Sequence, residues 1–197
     1  ENGYGRGVPW NGLTAVTESP SGAESNKQYA DNVVYLNLVS AEEFGGTIEA
    51  FTCPPEFSAC DGLAEPSDGL TVGQQTRSTF GLSYRTKVGN DLAGQDAGYK
   101  LHLVYGLLAS PSEKAYQTVN DSPEAMTLSW EVTSTPVKVN DALKPTSIIT
   151  VDSTKVDAAD LAVLEKKLYG APAGAGGTPP ETFAKLPLPA EVLAIFA

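Results

Sequence analysis

Cysteine, histidine and methionine are scarce in this chain, with two, one and one among 197 residues. A structural zinc site of Cys and His needs four ligands, and Cys53, Cys60 and His102 fall short of that number. The stretch CPPEFSAC does not have the CxxC redox spacing, and no thioredoxin-like βαβ pattern surrounds it. Two cysteines do not make the dense framework of a small secreted scaffold, and they fit folding in a reducing cytosol. A local disulfide between them stays geometrically open, but the favoured reading is two thiols in a proline-stiffened surface loop. Basic residues are also few, 13 against 24 acidic, and the net charge of −11 should repel nucleic-acid phosphates. Sequence-specific DNA binding is therefore not expected. No apolar run approaches the roughly eighteen residues needed to span a bilayer, so no membrane role is expected. Nothing at the N-terminus resembles a signal peptide, and a chain opening on Glu1 with Met126 as its sole methionine is expected to have lost its native start.

What the chain has in quantity is alternation. Its 41% hydrophobic content supports one well-buried domain, and most of that content recurs with a period of two. A weak alternation runs from Trp10 to Glu18. VVYLNLV (33–39) is β-branched and aromatic, and SAEEFG after it offers Ser40 and Glu43 as a capping box for one helical turn. GTIEAFT (46–52) is a further strand leading into the cysteine loop. Residues 74–108 read as a long antiparallel hairpin, with Phe80, Leu82 and Tyr84 on one face of its first strand and Tyr99, Leu101, Leu103, Tyr105 and Leu107 on one face of its second. In residues 126–135, Met126, Leu128, Trp130 and Val132 point inward, and TSIITVD (146–152) closes the β-rich part.

One helix is expected, in VDAADLAVLEKKLYG: Asp157 caps it, Leu161, Leu164 and Leu168 share a face, and Gly170 stops it. The organisation is thus a mainly β, antiparallel sandwich or barrel over 1–152, a peripheral helix over 153–170, a flexible linker over 171–180, and an apolar C-terminal segment, 181–197, that needs a surface to dock on.

No set of converging catalytic groups is legible. GLSYR (81–85) fails the GxSxG pattern at Arg85, so His102 lacks a presented nucleophile for hydrolysis. GNDLAGQD, with Asp91 and Asp96, lacks the acidic alternation of an EF-hand. Asn120 opens a chance-length glycosylation match. No cofactor, metal or catalytic residue is assigned. The non-enzymatic alternative is a monomeric β-sandwich that binds carbohydrate or a cell surface through Trp10, Tyr29 and Tyr35, which requires an exposed aromatic row.

Longer stretches carry a resemblance. GVPWNGLTAVTESPSGAE, YADNVVYLNL, SAEEFGGTIEAFTCPPEFSACDG, VGQQTRSTFGLSYRTKVGND, GYKLHLVYG and NDSPEAMTLSWEVTSTPV follow in order. Together they resemble the major tail tube protein of long-tailed bacteriophages, over roughly residues 7–170 with a fainter echo in LPLPAEVLAIF. The resemblance implies a non-enzymatic subunit of the virion tail, assembled in the host cytoplasm as homo-hexameric rings that stack into a hollow tube. Its implied partners are the tape measure, tail terminator and distal tail proteins, and double-stranded DNA in transit. Cys53 stands where an aromatic residue is expected in relatives, which argues against a shared role for a cysteine pair. On this reading Glu18, Glu49 and Glu131 are candidates to line the lumen, where six times −11 gives −66 per ring and keeps DNA from sticking. Residues 51–70 and 87–98 are candidate ring-to-ring loops. In the first, Cys53, Pro54, Pro55, Phe57 and Cys60 form the contact stretch, with Phe57 as its anchor.

Overall fold

A computed structural model describes residues 3–91, 94–116, 118, 125–172 and 181–197. The β part comprises β1 (Leu13–Glu18), β2 (Ser21–Gly22), β3 (Ser25–Ala30), β4 (Val33–Val39), β5 (Glu42–Glu43), β6 (Gly45–Ala50), β7 (Ala64–Ser67), β8 (Leu70–Val72), β9 (Phe80–Asn90), β10 (Gly94–Ala109), β11 (Leu128–Ser134) and β12 (Ile148–Asp152). Two helices follow, α1 (Ala158–Tyr169) and α2 (Pro189–Ile195).

Strands β1, β6, β11 and β10 are successive antiparallel neighbours in one six-stranded sheet. β10 pairs with β9 along one edge, and its other edge serves β12 through Lys100–Val104 and then β11 through Leu107–Ala109. Four strand steps separate β1 from β9, roughly 19 Å in a flat sheet. Their side chains nevertheless meet: Val16 and Leu82 belong to one core with Ile48, Val104, Leu107, Trp130 and Val132. The sheet therefore curls around that core. β1 and β9 share no ladder among the described residues, so the sheet stays open and the closed-barrel form of the expectation is not what the chain adopts.

A second core lies on the other face. Leu101, Leu103 and Tyr105 of β10 and Val151 of β12 pack beneath Leu161, Leu164 and Leu168 of α1 and Val192 of α2. The single apolar row expected from Tyr99 to Leu107 therefore breaks. The cause is a bulge: Val104 pairs with Leu82 and Leu107 with Phe80, so β10 spends one residue more than β9. That extra step turns Leu107 to the opposite face from Tyr105, and Gly106 at φ +60° accommodates it.

The helix forms as the sequence implies. The Asp157 carboxylate accepts from the amide of Ala159 at 2.7 Å, and Gly170, at φ +74°, ends α1. The C-terminal segment docks on its own chain: Ala171 and Thr182 pair, the Lys185 amide donates to the Lys167 carbonyl at 2.9 Å, and α2 starts on Pro189 and buries Val192.

Three local expectations fail. The capping box at Ser40–Glu43 builds no helix: Glu42 and Glu43 are extended and pair with Gly22 and Ser21, and the Ser40 hydroxyl accepts from the Glu24 amide at 3.0 Å. The connection at 87–98 is largely strand, since β9 runs to Asn90 and β10 starts at Gly94. Met126 is exposed and precedes β11. Asn120 and most of the 171–180 linker lie outside the described residues.

Candidate functional site

The cysteine loop is fastened from within. Pro55–Ala59 forms a short 3-10 turn with Pro at its start, and this turns Phe57 inward. Phe57 is buried between Trp10, Phe80 and Trp130, with ring centroids 4.7–5.3 Å away. Phe57 is therefore core and offers no exposed anchor to a neighbour. Close by, Asp61 is 8% exposed. Its carboxylate accepts from Trp130 Nε1 at 3.1 Å and from Lys114 Nζ at 2.6 Å, with Arg77 Nη1 3.6 Å away. A buried carboxylate needs such compensation. Cys53 is exposed and Cys60 half-buried, both thiols are free, and burial is the main cause that raises the pKa of each above its ordinary value. A raised thiol pKa means less thiolate and low reactivity. Of the five candidate contact residues only Cys53 and Pro55 are exposed, while Pro54 and Cys60 are half-buried and Phe57 is buried.

The three acidic lumen candidates divide. Glu49 lies opposite Ser129 and Glu131 opposite Thr47, which places both on the face of β6 and β11 that points away from Ile48 and Trp130. That face is polar, and alternation along the strands produces it directly. Glu18 pairs with Gly46, beside Val16 and Ile48, and so points to the other face. There its carboxylate accepts a hydrogen bond from the Tyr84 hydroxyl, across the gap between β1 and β9. Glu18 is therefore a seam residue and does not share a surface with the other two.

His102 completes the seam. Its ring stacks flat on Tyr84, with centroids 4.6 Å apart and planes 3° from parallel. Nε2 lies 2.9 Å from the Thr86 hydroxyl, and Nδ1 lies 3.4 Å from Thr150 Oγ1 and 3.7 Å from Glu18. Burial lowers the His102 pKa more than Glu18 raises it, so the imidazole is neutral at pH 7. Burial and the Glu18 hydrogen bond raise that of Tyr84. The cluster ties two sheet edges together.

Two surfaces were not read from the sequence. β3 and β4 form a hairpin, with Ser25 paired to Val39 and Ala30 to Val33, and every residue of both strands is exposed. Neither strand contributes to either core. A bulge pairs Leu36 with Gln28 but Val34 with Tyr29, so Leu36 and Leu38 share one face with Gln28 and Asn26, and Val34 lies with Tyr29 on the other. SNKQYA is mostly polar, so β3 carries no apolar alternation to mark it as a strand. A signal was nonetheless present: Asp31-Asn32 sits between two extended runs, and both residues take positive φ (51° and 61°), as a two-residue hairpin turn requires. The second surface is an open, mainly apolar groove of about 640 Å³ between Tyr4–Trp10, the cysteine loop and the start of β9. Tyr4 fixes one wall, its hydroxyl accepting from the Gly106 amide at 2.7 Å.

Of the aromatic trio suited to sugar stacking, Tyr29 and Tyr35 are exposed, but Trp10 packs edge-on against Trp130 and donates from Nε1 to the Thr52 carbonyl at 2.7 Å. The three do not form one row. Among the described residues, no group of three or more His, Cys, Asp or Glu is placed to hold a metal, and no helix is long and apolar enough to cross a membrane. No family model, no curated protein and no solved structure matches this chain.

Proposed function

We propose that this chain is a structural subunit of a phage tail, a non-enzymatic β-sandwich protein that assembles into stacked hexameric rings. The hollow tube so formed conducts the genome from capsid to host. The resemblance of its sequence motifs to major tail tube proteins suggests the reading. The observation that carries it is the β3–β4 hairpin. A two-stranded hairpin is marginal in water by itself, and this one exposes Val33, Val34, Tyr35, Leu36, Leu38 and Val39 with none of the described residues over them. Such an arm invites cover from other chains.

Within the tube, Glu49 and Glu131 are the lumen candidates retained, since they share the polar face of β6 and β11 that neither core covers. An anionic wall repels the phosphates of a passing duplex, so DNA moves without forming counterion-releasing contacts. On this reading its partners are the tape measure, tail terminator and distal tail proteins. The sugar-binding alternative loses support because Trp10 is half-buried against the core and shares no row with Tyr29 and Tyr35.

Mass photometry of the purified chain tests this reading. Particles of about 124 kDa, six times the 20.6 kDa chain, or multiples of that mass are expected. A single 20.6 kDa species at all concentrations would sink it.

A further inference from the structure

Sheet and arm belong to one hairpin. Ala15 pairs with Glu49, Glu18 with Gly46, Ser21 with Glu43, Ser25 with Val39 and Gln28 with Leu36, so each step along one strand is matched by a step along the other. The sheet part is anchored, since Val16 and Ile48 pack in the larger core and Glu18 accepts from the Tyr84 hydroxyl. The arm part is not: every residue from Ser21 to Glu43 is exposed.

Between the two parts the chain leaves extended geometry at successive residues, Gly22 at φ +85° and Ala23 at φ +53°. A Cβ on Gly22 would lie 2.2 Å from the Ala41 carbonyl oxygen, so this conformation requires glycine there. Ala23 has a Cβ and is strained in the left-handed region. Strain of that kind persists where the surroundings over-determine it, yet Ala23 is exposed and belongs to neither core. Hydrogen bonds hold the junction: the Ala23 amide to the Ala41 carbonyl at 3.3 Å, the Glu24 amide to the Ser40 hydroxyl at 3.0 Å, and the Ser40 amide to the Glu24 carbonyl at 3.1 Å. Exposed backbone hydrogen bonds with few apolar contacts around them open at low free energy.

We propose that Gly22–Ala23, with Ser40–Ala41 opposite, is a hinge at which the arm swings as a unit against the sheet. A hinge concentrates its motion in a few residues while the bodies on either side keep their shape. The arm keeps its own ladder from Ser25–Val39 to Ala30–Val33, reinforced by the Ser25 hydroxyl donating to Asn37 Oδ1 at 2.6 Å. The core and the Glu18–Tyr84 contact fix the other body. The hinge is a property of the single chain and stands or falls apart from the tail tube reading.

Electron–electron spin resonance distances test it, in a Cys53→Ser, Cys60→Ser chain diluted with unlabelled protein. One labelled pair, Lys27→Cys with Thr133→Cys, spans the hinge, and a control pair, Lys87→Cys with Thr133→Cys, lies within the sheet. The distribution across the hinge should be the broader of the two. A β-branched residue is a genuine outlier at positive φ, so Ala23→Val should shift the mean arm-to-sheet distance, whereas Ala23→Gly should retain it. A distribution as narrow across the hinge as within the sheet, or a mean unmoved by Ala23→Val, would overturn the proposal.

Discussion

The indole of Trp130 donates to the carboxylate of Asp61 at 3.1 Å, joining the centre of the larger core to the end of the cysteine loop. Because Lys114 and Arg77 converge on the same carboxylate, Asp61 balances two cations and an indole at once. Asp61→Ala should cost about 2–3 kcal/mol, short of the roughly 3–5 kcal/mol of fully buried pairs because both cations reach water. Urea denaturation followed by tryptophan fluorescence reads this. A change under about 0.5 kcal/mol would mean that the loop is held by Phe57 alone.

Phe57 discriminates between core and contact roles. Truncation to alanine removes the ring from between Trp10, Phe80 and Trp130, and a loss of about 3–5 kcal/mol is expected in the isolated chain. If Phe57 were an interface anchor, the variant would unfold at the same denaturant concentration and fail only in assembly.

Gly106 holds the step that shifts β10 from one core to the other. A Cβ there would lie 2.2 Å from the Thr135 carbonyl oxygen, at a φ of +60° that alanine adopts poorly. Thr135 is itself tied to Gly106 by a 2.9 Å backbone hydrogen bond and cannot easily withdraw. Gly106→Ala should therefore destabilise by at least about 2 kcal/mol. Thermal unfolding measures it, and an unchanged midpoint would contradict the bulge as the cause of the face change.

The fold was legible where one face of a strand is apolar. Leu82, Trp130 and Val132 alternate inward as their period implies, and Leu161, Leu164 and Leu168 mark the helix face. Leu107 was assigned to the wrong face because a bulge is invisible to a strict period of two. Glu18 looked equivalent to Glu49 and Glu131, yet sheet register puts it on the other side, and register is a long-range property that spacing along one strand does not reveal. Phe57 and Asp61 were obscured for a related reason: what surrounds them comes from Trp10, Phe80, Lys114 and Trp130, all distant in sequence. The hairpin had a turn signal in Asp31-Asn32 that the polarity of β3 masked.

The His102 seam gives a pH dependence with a defined sign. Burial holds the folded-state pKa of His102 below its ordinary 6.5, so protonation favours the unfolded chain. Its contribution is fully present above pH 6.5 and is lost as pH falls through the lower folded value. Melting temperature should decline on acidification across that window, and His102→Gln should flatten the decline. A variant with the parent slope would show that other groups set it.

The claim on which the account turns is that the bare β3–β4 arm is covered by sister copies around an axis. Negative-stain electron microscopy of the purified chain, beside a Leu36→Asp variant, tests it most directly. Six-membered rings or tubes with a central hole are expected for the parent chain, and folded single subunits for the variant. Discrete single subunits for both, at every concentration tried, would contradict it.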